Sequence, residues 1–87
     1  MHITIEIDED AKALYFRLQD GDIAQTLEYP KAREVFLDLN EQGQLIGIEV
    51  LEPGSLDMRL VFKDIAETYE IQDFSSLIDK PIRELAA

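Results

Sequence analysis

Alternation of apolar and polar residues governs the first half of the chain. In ITIEI, Ile3, Ile5 and Ile7 share one face while Thr4 and Glu6 take the other. This period of two marks a half-buried strand. ALYFRL repeats it, with Leu14, Phe16 and Leu18 opposite Tyr15 and Arg17. Asp20-Gly21 predicts a tight turn, after which IAQTLEY returns as a third strand with Ile23, Leu27 and Tyr29 inward. Pro30 lacks a ladder donor and ends that strand. REVFLDL and QLIGIEVL follow, with Val35, Leu37 and Leu39 alternating with Phe36 and Asp38, and Ile46, Ile48 and Val50 alternating with Leu45, Gly47 and Glu49. Joined by Asn40-Glu41-Gln42-Gly43, they predict a β-hairpin with glycine at a left-handed position.

Beyond Pro53-Gly54 the period lengthens. Ser55 or Asp57 is placed to cap a helix in which Met58, Val61, Phe62, Ile65 and Tyr69 recur at steps of three and four. A second short helix is expected from Ser76, with Leu77, Ile78, Ile82 and Leu85 on one face and Asp79 completing a capping box. Pro81 fits only near the start of that helix or at a kink. The expected fold is therefore α+β in a single domain, residues 1–87. About five antiparallel strands form a meander over 1–52, and one or two helices over 55–87 pack on one face of it.

Composition narrows the function classes. Eighty-seven residues, with 46% hydrophobic and 31% charged, suit one small folded core. No cysteine is present, which removes disulfides, thiolate metal sites and a cysteine nucleophile together. The start, MHITIEIDED, lacks the basic segment and apolar run of a signal peptide, and no apolar run approaches membrane-spanning length. The expected location is cytoplasmic. Nineteen acids against eight bases give a formal charge of −11, spread along the whole chain. A phosphate backbone would be repelled, which argues against nucleic acid, whereas a basic protein is electrostatically welcome. Acidity that merely keeps a small protein soluble is the plainer explanation.

One stretch imitates a metal site. DLNEQGQLIGIE, Asp38 to Glu49, has Asp38, Asn40, Gly43 and Glu49 where a calcium-binding EF-hand loop requires oxygen ligands and a turn. Such a loop needs a helix on each side, and Pro53-Gly54 follows too soon for an exiting one. In a hairpin, Asp38 and Glu49 stand across a ladder and cannot wrap one ion, so the match is assigned to turn chemistry. His2 is a lone histidine beside the N-terminus. Asp8-Glu9-Asp10 reads as a solvated turn, and Ser55, Ser75 and Ser76 have no histidine base in a recognisable motif. No catalytic residue, cofactor site or metal site is assigned.

The outer sheet face points outward. Opposite the helices it would carry Tyr15, Phe36, Leu45 and Leu51 among Thr4, Glu6, Arg17 and Glu49, the composition of a contact patch. Alternatively the strands curl and these side chains cover one another, with Phe36 shielding Gly47. If the patch is open, a homodimer made by packing two sheets is the simplest partner.

The same residues carry a family resemblance. DEDAKALYFRL, Asp8 to Leu18, followed by VFLDLNEQGQLIGIEVL, Val35 to Leu51, resembles the small prokaryotic family catalogued as domain of unknown function 2283. The matching features are Ala13-Leu14-Tyr15, Asp38, Gly43 and Gly47-Ile48-Glu49, within roughly residues 3–55. Ile7, Glu9 and Lys12 depart from the residues common there. The resemblance implies a strand meander with a helical C-terminus and brings no established activity. Its members are often encoded beside small proteins that look like RNA-cleaving toxins, so the resemblance implies an antitoxin-like role. The leading expectation is an acidic, non-enzymatic interaction module, homodimeric, with self-association its foremost partnership, and antitoxin-like in covering a basic, toxin-like partner. A small carboxylate-based or metal-dependent enzyme is the alternative.

Overall fold

The structure, a computed structural model, describes residues 3–55 and 57–75. Five strands, β1 (Thr4–Asp8), β2 (Ala13–Arg17), β3 (Gln25–Glu28), β4 (Val35–Leu39) and β5 (Leu45–Leu51), precede a short 3-10 turn, Pro53–Ser55, and the helix α1 (Met58–Thr68). They form one antiparallel sheet in the order β1-β2-β5-β4-β3, followed by the helix, which is the α+β architecture expected. The second helix predicted from Ser76, with Leu77, Ile78, Ile82 and Leu85, lies outside the described residues, as does His2.

Strand order follows from which strand most needs cover. β5 is the longest strand and is buried at every position but Glu49 and its last residue. A strand apolar on both faces belongs in the centre of a sheet, where neighbours satisfy both of its edges. It pairs with β2 on one side and β4 on the other. β3, exposed along its whole length, takes the far edge. Asp20-Gly21 therefore does not close a hairpin between β2 and β3. Their connection crosses the end of the sheet, tied down where the Leu18 N–H donates to the Ile46 carbonyl at 2.8 Å and the Gln19 amide to that of Leu45 at 2.9 Å. Edge placement also corrects the expectation of an inward Leu27, and Ile23, expected inward in the same strand, lies ahead of β3. Both remain more than 40% exposed, while Tyr29 is buried as expected.

The β4–β5 hairpin turns as the sequence predicts, with Gly43 at φ +77°. Asn40 organises the turn: its side-chain oxygen accepts the N–H groups of Gln42 and Gln44 at 3.0 and 2.9 Å. Beyond the turn the register slips. Asp38 pairs with Gly47 but Leu39 pairs with Leu45, leaving Ile46 as the extra residue of a bulge. One extra residue reverses the side that its neighbour faces. Leu45 thus joins Leu39 in the core and is 3% exposed.

On the helix side, Leu14, Phe16, Val35, Leu37, Ile48 and Val50 meet Met58, Phe62 and Ile65. Phe62 stands edge-on to Phe16 at 4.8 Å between ring centres, and Phe74 stands edge-on to Phe62 at 5.0 Å. Burying each ring contributes roughly 1.5–3 kcal/mol, and such edge contacts add about 1 kcal/mol. The helix starts at Asp57, whose carboxylate accepts the Leu60 N–H. It ends with Glu70 left-handed at φ 55° and the Ile71 N–H reaching back to the Ala66 carbonyl, a Schellman closure without glycine.

Candidate functional site

Cross-strand register sets the outer face in two rows. One runs Glu6, Tyr15, Glu49, Phe36, Glu28 across β1, β2, β5, β4 and β3, so that acids and aromatics alternate. The next runs Thr4, Arg17, Gly47, Asp38, Thr26 in the same strand order. Strands about 4.8 Å apart put successive glutamates of the first row roughly 10 Å from one another. Glu6, Glu28 and Glu49 are exposed, whereas Tyr15 and Phe36 are half-buried.

The rows are joined through Gly47. A Cβ there would lie 2.0 Å from the Tyr15 hydroxyl oxygen and 2.4 Å from its Cζ, so only glycine lets the phenol lie across β5. The ring crosses to donate its hydroxyl to Asp38 Oδ2 at 2.8 Å. From the edge strand, the Thr26 hydroxyl donates to Asp38 Oδ1 at 2.6 Å. Asp38 is 9% exposed, and both its oxygens are satisfied by hydroxyls. Burial pushes the Tyr15 phenol from its ordinary 10.0 up to about 12, helped by the bond to Asp38 and its negative charge. The phenol therefore remains a donor at neutral pH. Arg17 lies over the ring, its guanidinium carbon 5.2 Å from the centre.

The calcium-like stretch is accounted for in the same geometry. Asp38 is held by Tyr15 and Thr26, Asn40 shapes the turn, and Glu49 stands in the acid–aromatic row. Asp8, of the acidic run, accepts the Ala11 N–H at 3.1 Å and so forms the β1–β2 turn. Among the described residues, no group of three or more His, Asp or Glu side chains is placed to hold a metal ion. None of the described helices is long and apolar enough to cross a membrane.

Of the four residues assigned to a contact patch, Tyr15 and Phe36 stand together in the first row, and Leu51 stands half-buried at the end of β5 opposite Ala13. Leu45 is not with them, because the bulge turns it into the core. Tyr15, not Phe36, shields Gly47. Sequence reasoning missed Asp38 as the polar centre of the face. Its signal was present: a lone carboxylate within the apolar strand VFLDL, with a threonine in the preceding strand.

Tyr15, Asp38 and Gly47, three of the residues that carry the family likeness, thus meet at one point, with Glu49 in the neighbouring row. No curated protein and no solved structure matches the chain. The model of the family described as protein of unknown function DUF2283 matches residues 4–52, a span that holds all five strands and more than half of the chain, and the chain belongs to that family.

Proposed function

We propose that this protein is an interaction module whose outer sheet face docks a basic protein partner. The observation that supports this most is the row Glu6–Tyr15–Glu49–Phe36–Glu28, three exposed carboxylates with aromatic rings between them. Aromatic anchors supply contact area at little entropic cost, and surrounding acids steer and align a partner rich in Lys and Arg. Tyr15 is already held by Asp38, so its ordering is not charged to binding. The net charge of −11 acts in the same direction at long range.

A homodimer made by stacking two such faces would set glutamate rows against each other, which costs affinity. The basic partner is therefore favoured over a second copy. The antitoxin-like role implied by the family resemblance is this same reading with a basic nuclease as the partner.

Affinity purification of the full chain from its native host provides the test, beside a variant carrying Glu6→Lys, Glu28→Lys and Glu49→Lys. The native chain is expected to retain a basic protein whose release rises with salt, and the variant to lose it. Recovery of a lone monomer at physiological salt would refute the reading, as would a partner indifferent to the charge reversal.

A further inference from the structure

On the helix side of the sheet, a cleft of about 220 Å³ opens between the segment Tyr29-Pro30-Lys31 and the last turns of α1. Leu37 and Ile65, both buried, line its apolar part, and Tyr69 forms a wall. Asp64 stands at the rim with its two oxygens differently engaged: Oδ2 accepts the Tyr29 hydroxyl, and Oδ1 accepts Lys31 Nζ at 3.1 Å. The two donors are held very differently. Tyr29 is 7% exposed, whereas the Lys31 side chain is 69% exposed. A surface pair of the latter kind contributes little to stability and exchanges readily.

We infer that this cleft is a binding site for a primary ammonium group on a short apolar body, which takes the place of Lys31 at Asp64 Oδ1. Lys31 marks the ammonium position within the structure itself. The fixed Tyr29 hydroxyl holds the carboxylate in orientation, so Oδ1 keeps its direction when Lys31 swings away. The Tyr29 and Lys31 hydrogen bonds keep the Asp64 carboxyl below its usual range, so it is ionised at neutral pH. Pro30 and the half-buried Tyr69 provide an apolar surface for the carbon chain, backed by the buried Leu37 and Ile65. The cleft is smaller than the roughly 300–1,000 Å³ of drug-sized sites, which favours a body of a few carbons. An alkylamine and the side chain of a lysine share this chemistry. The site lies on the helix side of the sheet and does not depend on the outer-face reading.

Nitrogen–proton correlation NMR of the full chain, titrated with n-butylammonium, n-butanol and butyrate, tests it. Butylammonium is expected to shift the amides of Ile65, Thr68 and Tyr69 saturably, with a millimolar dissociation constant typical of so small a ligand. Butanol should bind about tenfold more weakly for want of the charge-assisted bond, and butyrate should not bind. Lys31→Ala removes the internal competitor and should tighten butylammonium binding about two- to fivefold, the range a weak surface pair allows. Asp64→Asn should weaken it. Binding of Nα-acetyl-lysine methylamide as strong as that of butylammonium would assign the site to a protein's lysine, and much weaker binding to a free amine. Equal binding of butanol and butylammonium, no gain in Lys31→Ala, or no saturable shift would overturn the proposal. The first and last of these need no variant.

Discussion

On the helix side of the sheet, Phe16, Phe62 and Phe74 interlock through edge-on contacts, and no polar group takes part. On the outer side, Tyr15 is positioned by one hydroxyl, one carboxylate and a missing Cβ. The first arrangement is non-directional, so its strength grades with the apolar area removed from water. The second is directional and narrow: shifting one atom breaks it, while the area buried hardly changes. The inner face thus supplies stability, and the outer face supplies a fixed shape where the surface remains open to solvent. The contact role proposed for the outer face would gain from that division, because its anchor is ordered before any partner arrives.

Substitutions on the two sides should separate these roles. The largest effect is expected for Phe62→Ala, which empties the centre of the aromatic cluster and should cost about 3–5 kcal/mol, a large part of a small domain's stability. Thermal unfolding by circular dichroism would show it as a steep fall in Tm, and a loss under about 1 kcal/mol would mean that α1 is held elsewhere. Next comes Gly47→Ala, whose new methyl displaces Tyr15; overpacking of this kind costs roughly 1–3 kcal/mol. In a Tyr15→Ala background the same change should be nearly harmless. Additivity in that double-mutant cycle would contradict the crossing of β5 by the phenol.

Smaller still is Thr26→Val, which deletes one of two donors to Asp38 and should cost about 1 kcal/mol in denaturant unfolding. An effect no greater than that of substituting the exposed Gln25 would show the Thr26 bond to be idle. The finest probe is pH. The folded state raises the phenols of Tyr15 and Tyr29 from 10.0 to about 12, so it favours their neutral forms. Stability from these phenols is complete below about pH 10 and lost as pH rises towards 12. Ultraviolet titration should find late-ionising tyrosines, and Asp38→Asn should move one of them back towards the ordinary value. Unchanged ionisation in that variant would remove Asp38 as a cause of the Tyr15 shift.

Much of the fold was legible because alternation is a local signal. The faces of β2 and β4, the Gly43 turn and the buried stripe of α1 can each be read within one short window. Leu27 is exposed against the pattern because the period of two tells which residues share a face, not whether the strand sits at an edge, and Ile23 because the strand begins only at Gln25. Leu45 was misplaced because parity was carried through a bulge that no local pattern marks. The outer site was legible in part: Tyr15 and Phe36 were assigned to one face, and strand register then alternated them with three glutamates. Asp64, Lys31 and Tyr29 come from segments far apart in the chain, and no spacing could have joined them.

The sequence by itself determined which side chains go in and out along β2 and β4, where the chain turns after Asn40, and the strong negative charge, since all three depend on near neighbours or on composition. Tertiary structure decided that β5 is central and β3 peripheral, that Tyr15 reaches Asp38 over Gly47, and that Asp64 faces Tyr29 and Lys31. These are choices of register and strand order. They minimise the exposed apolar area of the whole sheet at once, and a sum over the whole sheet cannot be read from any one of its strands.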